Sequence, residues 1–191
     1  AANNTFVGAN AGLLNSTGTG NTFMGKGAGD ANTTAHDNTF IGTDAGGSNV
    51  TGTGNTFLGT AAGDVNTASA NTFLGANAGG ANTSAADNTF IGTNAGLLNV
   101  TGVSNTFIGA RAGDSNTASG NTFIGKDAGG ANTAGTLNTF IGSNSGAGNS
   151  TSTKNTFVGA SSGQVNTGEL NTFIGANSGV ANTGGDFNTF L

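Results

Sequence analysis

The sequence predicts an all-β fold: a parallel β-solenoid (β-roll or β-helix) of about eleven coils of 16–17 residues, packed with other copies as a trimer or filament. Three observations predict it. Asn-Thr-Phe occurs twelve times, with its first residue at Asn4, Asn21, Asn38, Asn55, Asn71, Asn88, Asn105, Asn121, Asn138, Asn155, Asn171 and Asn188. Consecutive copies stand 16 or 17 residues apart, and a fixed period sets the architecture before any local reading. The shared unit, N-T-F-[ILVM]-G-x-x-[AS]-G-x-x-N, carries Gly twice, which opposes a helix, and it is too short for a helical hairpin.

Counting each unit from its Asn, the elements follow in order. Thr-Phe-Ile at positions two to four is the strand, because β-branched and aromatic residues suit a pleated surface. Gly at positions five and nine (Gly8 and Gly12, Gly25 and Gly29) marks turns that need positive φ or close backbone approach. Position eight is small (Ala11, Ala28, Ala45, later Ser145, Ser162, Ser178), so the coil is narrow and bulky on one wall. The Asn at position twelve (Asn15, Asn32, Asn49 and onward to Asn182) is expected at a further corner. There it tolerates the left-handed conformation and hydrogen-bonds its copy in the next coil. A few short strands per coil, joined by tight turns and stacked about 4.8 Å apart, complete the expectation.

The strand poses a problem that bears on function. Successive side chains point to opposite faces, so the Phe ladder and the aliphatic ladder cannot both face one thin interior. The Phe ladder is Phe6, Phe23, Phe40, Phe57, Phe73, Phe90, Phe107, Phe123, Phe140, Phe157, Phe173 and Phe190. The aliphatic one includes Ile41, Ile91, Ile108, Ile124, Ile141 and Ile174. An exposed apolar stripe of this length exceeds what a soluble monomer normally carries. Either the strand bends at a bulge or a partner covers one ladder; the partner is the expectation, as a homotrimer or a polymeric filament.

Composition narrows the rest. The chain has 37 Gly and no Pro, Cys or Trp, and 12 of its 13 Phe occupy one repeat position, which disorder would not require. Net charge is −5, and Lys26, Arg111, Lys126 and Lys154 form no stripe, so no nucleic acid is expected. No apolar run approaches the roughly 20 residues of a membrane span, so no membrane insertion is expected. Gly18-Thr19-Gly20 lacks the rest of a phosphate loop. His36 beside Asp37 recurs in no other unit, and Asp30, Asp64 and Asp114 are too sparse to assemble 6–8 oxygen ligands. No metal, no cofactor and no enzymatic activity are therefore expected. Sequons occur at Asn3, Asn15, Asn32, Asn49, Asn82, Asn99 and Asn149; in a glycosylating source, Asn49, Asn99 and Asn149 would carry sugars at regular intervals.

The whole chain, 1–191, reads as a single array. From Asn21 the spacings run 17, 17, 16 three times, which makes three 50-residue cassettes, 21–70, 71–120 and 121–170, with partial repeats on either side. The sequence begins and ends inside the repeat, so it is expected to be a segment of a longer fibre.

Units such as Asn38-Thr39-Phe40-Ile41-Gly42 through Ala45-Gly46 resemble the β-roll head repeats of trimeric autotransporter adhesins. They are also similar to the Asn-Thr-x-Ile-Gly repeats of phage tail fibres and bacterial surface proteins. The resemblance implies a trimeric, extracellular, cell-surface or virion fibre that attaches to something, such as surface glycans or a host receptor. This unit is longer than the adhesin-head repeat, and Phe replaces a small residue. The leading functional expectation is a structural fibre or adhesin shaft that self-associates through its apolar Phe/Ile ladder. The alternative is an ice- or surface-binding solenoid using Asn/Thr ladders. Against it stands the Thr beside Phe where an ice face needs an outward Thr array.

Overall fold

A computed structural model describes residues 3–191. It is a parallel β-solenoid, and the described residues contain no helix. The strands are β1 (Thr5–Val7), β2 (Thr22–Met24), β3 (Thr39–Ile41), β4 (Thr56–Leu58), β5 (Thr72–Leu74) and β6 (Thr89–Ile91). They continue as β7 (Thr106–Ile108), β8 (Thr122–Ile124), β9 (Thr139–Ile141), β10 (Thr156–Val158), β11 (Thr172–Ile174) and β12 (Thr189–Phe190). All twelve form one parallel sheet in sequence order. Each Thr pairs with Thr and each Phe with Phe, from Thr5 opposite Thr22 to Phe173 opposite Phe190. The expectation of several strands per coil is corrected here, because each coil holds one three-residue strand and turns everywhere else. The turns also stack, by bonds such as Gly29 N–H to the Ala45 carbonyl (3.0 Å) and Asp44 N–H to the Lys26 carbonyl (2.9 Å).

The interior is two columns wide. Phe23 through Phe173 are fully buried, with ring centroids 4.8–5.0 Å apart and planes within 9° of parallel along the whole stack. Opposite them sit the small residues of position eight, with Ala28, Ala95 and Ser145 fully buried. Gly at position nine lets the wall touch the ring. A Cβ on Gly96 (φ +58) would lie 2.5 Å from Phe90 Cε2. At position five the strand turns against the next coil, and a Cβ on Gly92 would meet the Gly109 carbonyl oxygen at 2.5 Å.

Two buried Asn columns fix the corners. At position one, each Asn Oδ1 accepts the backbone N–H of the next Asn at 2.8–3.0 Å, without a break from Asn4 to Asn188. Its Nδ2 closes its own coil, as Asn21 does on the Ala35 carbonyl (2.8 Å), except at Asn88, whose Nδ2 has no partner. At position twelve, Asn32 donates to Asn15 Oδ1 (2.6 Å) and Asn132 to Asn116 Oδ1 (2.8 Å), which is the expected stacked corner. These Asn residues do not, however, take the left-handed conformation. That conformation falls instead on position seven (Asn77, Asn94, Arg111) and on the residue before each Asn-Thr-Phe (Asp87, Ser104, Leu137).

The 16-residue coils lose their residue just after this corner. Asn66, Asn116 and Asn166 donate to a carbonyl two residues on, whereas Asn82, Asn99 and Asn132 reach three residues on. The strand register is untouched.

Candidate functional site

Because Phe turns inward, positions two and four of every strand turn outward together. The outer face of the sheet is a column of twelve Thr beside a column of Val7, Met24, Ile41, Leu58, Leu74, Ile91, Ile108, Ile124, Ile141, Val158, Ile174 and Leu191. The strand does not bend to bury both ladders. Met24 and Ile174 are each 44% exposed and Leu58 40%, while their Phe neighbours are sealed. The sequence-predicted ladder residues therefore separate into an interior Phe set and a surface aliphatic set. Within the described Phe ladder, Phe6 (37% exposed) and Phe190 (42%) are open to solvent; Phe187, outside the ladder, is 77% exposed.

Eleven steps of 4.8–5.0 Å make the face about 54 Å long. Three residues of strand give it a width of roughly 10 Å. Of the resulting area of roughly 540 Å², about half is the aliphatic column, which does not exceed the 300–600 Å² usual for the largest patch on a monomer and corrects the expectation of a stripe beyond that range.

No residue of either column is charged; the charges lie on the turns. Arg111 and Asp127, both at position seven, form an ion pair across adjacent coils with Arg111 Nε 2.6 Å from Asp127 Oδ1, and this hydrogen bond holds the Asp127 carboxyl below its ordinary value. Asp64, at position ten, is pushed upward by partial burial and by the nearby charges of Asp44 and Asp30. Asp114 is likewise raised, chiefly by burial.

The two columns differ in one further respect. From Thr22 to Thr172 the strand hydroxyls have no hydrogen-bond partner among the described residues. Some corner threonines do: Thr67 and Thr117 donate to the carbonyls of Thr83 and Thr133 in the next coil (2.9 and 2.7 Å), whereas the exposed corner residues Thr34, Thr51 and Thr151 do not. Sequence reasoning paired Thr with Phe as neighbours and so missed that Thr stands on the open face. The alternation of strand side chains was the signal that could have found it.

The possible glycan acceptors Asn49, Asn99 and Asn149 are fully buried at the position-twelve corner, where the folded coil leaves no space for a sugar. Asn149 also lacks a partner for either side-chain polar atom. The described residues enclose no pocket and bring together no group of three or more metal-ligating side chains. No helix among them is long and apolar enough to cross a membrane. No family model, curated protein or solved structure matches the chain.

Proposed function

We propose that this chain is a rigid rod within an extracellular or cell-surface attachment fibre, a shaft that works mechanically. The observation that carries the reading is the unbroken, in-register stack. A Phe column, an Asn column and a backbone ladder run through all twelve strands, so bending one coil strains its neighbours. Stiffness along one axis is what a spacer or attachment arm requires.

The half-exposed aliphatic column supports lateral association with other copies. A stable pairwise interface takes about 800 Å² per partner. One strand face offers less, so this contact alone does not hold an isolated pair and serves as one of several contacts in a filament. A trimer about a shared axis is a second arrangement of the same contact. Negative-stain electron microscopy with sedimentation velocity tests the reading. Rods that assemble into longer filaments or trimers are expected, and assembly should be lost in Ile91→Glu/Ile124→Glu while the circular dichroism spectrum is kept. A flexible, monomeric chain would overturn it.

A further inference from the structure

Position two is Thr in all twelve units, yet nothing inside the chain requires that hydroxyl. The other fixed positions each have an internal role. Asn at position one bridges coils, Phe at position three fills the core, and Gly at positions five and nine allows approaches that a Cβ would block. Where no such role exists, the coils have drifted. Position four holds Val, Met, Ile or Leu, and position six holds Ala, Lys, Thr or Ser. A strand position needing only a β-branched residue is served equally by Val or Ile. Position two has admitted neither, so what is kept is an outward hydroxyl paired with a methyl group.

We propose that this face binds ice wherever a neighbouring copy leaves it uncovered, so that the surface held by the attachment rod is the crystal lattice of water; the inference rests on the rod reading and names its partner. The face carries no charge across either column, which matches an uncharged solid and is unsuited to phosphate, nucleic acid or anionic glycan. It is also periodic at the coil spacing, which suits a periodic ligand such as a lattice. A soluble ligand needs one good site, whereas a lattice needs the same site repeated. In ice, two hydrogen bonds of about 2.75 Å meeting at the tetrahedral angle place second-neighbour oxygens about 4.5 Å apart. The coils repeat at 4.8–5.0 Å. The misfit is about 0.4 Å per coil, so three successive hydroxyl oxygens stay within about 1 Å of lattice positions, and over all eleven steps it grows to about one lattice spacing, which makes the match one of a few coils at a time. Beside them the aliphatic column offers liquid water no hydrogen bond to hold it against the face.

Thermal hysteresis and inhibition of ice recrystallisation, measured on the purified chain, test the proposal. Both are expected in the parent. Both should fall several-fold in Thr72→Leu/Thr89→Leu/Thr106→Leu, which fills the middle of the face with bulk and removes three hydroxyls. The corner triple Thr34→Leu/Thr51→Leu/Thr151→Leu should keep parental activity, and circular dichroism should show all three proteins folded alike. A parent inactive on ice, a face triple with full activity, or equal loss in the corner triple overturns the proposal. Sedimentation of the parent separates the two readings. Filaments without ice activity sink the ice face and leave the rod standing. Ice activity in a chain that never assembles sustains the ice face and removes the fibre.

Discussion

Truncating Phe90 to Ala tests the core directly. The ring is fully buried, stacked 4.9 Å from Phe73 and 4.9 Å from Phe107, and Gly96 closes over it. Phe→Ala in a packed core costs about 3–5 kcal/mol, and the amount depends on how far the site can collapse. Collapse is obstructed here. In-register ladders hold the flanking strands, and the facing wall is glycine and alanine with nothing to swing inward. The cost should therefore lie in the upper half of that range. Phe190 provides the internal control: it is 42% exposed and stacks on Phe173 alone. In a one-dimensional stack a central lesion breaks two neighbour contacts and a terminal one breaks one. Phe190→Ala should cost about half as much or less. Urea unfolding followed by far-ultraviolet circular dichroism measures both, and the central variant should also show a broadened transition as the two halves of the array uncouple. Equal losses in the two variants, or a loss below about 1 kcal/mol at Phe90, would refute a core held by the Phe stack.

Three further outcomes follow from the same packing. Gly96→Ala should destabilise about as much as Phe90→Ala, because its Cβ meets a ring at 2.5 Å, whereas Gly54→Ala (φ +66, nothing within 4 Å) should cost only about 1 kcal/mol of left-handed strain; urea midpoints decide. Asn132→Ala should cost about 2–3 kcal/mol, since its Nδ2 donates to Asn116 Oδ1 and the Gly135 carbonyl, while Asn149→Ala should be near neutral because neither of its polar atoms has a partner; the same unfolding assay ranks them. Asp64 has a raised pKa in the fold, so the folded chain holds its proton more tightly and stability falls as pH rises through that value. Asp64→Asn should thus stabilise at pH 7 and bring no gain below the ordinary carboxylate range, as read from thermal midpoints against pH.

The solenoid, its strand and its Asn corner were legible because each rests on a periodic signal with one physical meaning. Thr-Phe-Ile can only be the strand of so short a unit, and a small residue recurring opposite it can only be the far wall. The left-handed positions were not legible. Leu137, Leu170 and Phe187 adopt φ of +57 to +59, which a side-chain preference would never suggest. They do so because stacking imposes the conformation that Gly20 and Gly54 take in the same place in other coils, at about 1 kcal/mol each. The face itself was half legible. Alternation gave two opposed ladders, but composition did not say which was inside. Geometry decides it: a planar ring stacks on its own copy at one coil spacing and meets a glycine wall edge-on. A branched aliphatic column would leave voids against that wall.

The 17, 17, 16 cadence also has a physical reading in the position-twelve column. At the step from each 16-residue coil to the next cassette, the Asn–Asn bond is short: Asn82 to Asn66 is 2.6 Å, Asn132 to Asn116 2.8 Å, and Asn182 to Asn166 2.7 Å. Entering a 16-residue coil it is long or missing. Asn116 to Asn99 is 3.3 Å, and Asn49 Oδ1 and both polar atoms of Asn149 find no partner. Dropping one residue after the corner shifts this Asn relative to the coil before it, while the position-one column runs on at 2.8–3.0 Å. The steps within a cassette are slack as well, with Asn49 to Asn32 and Asn99 to Asn82 each at 3.4 Å, so the tight Asn–Asn bond at this corner recurs once per cassette, at the step into its first coil. The strand face stays in register through all three cassettes because each length change is absorbed elsewhere. A binding surface that must remain periodic tolerates length variation only in that arrangement. A deletion placed within a strand would instead have exchanged the faces of its side chains in that coil.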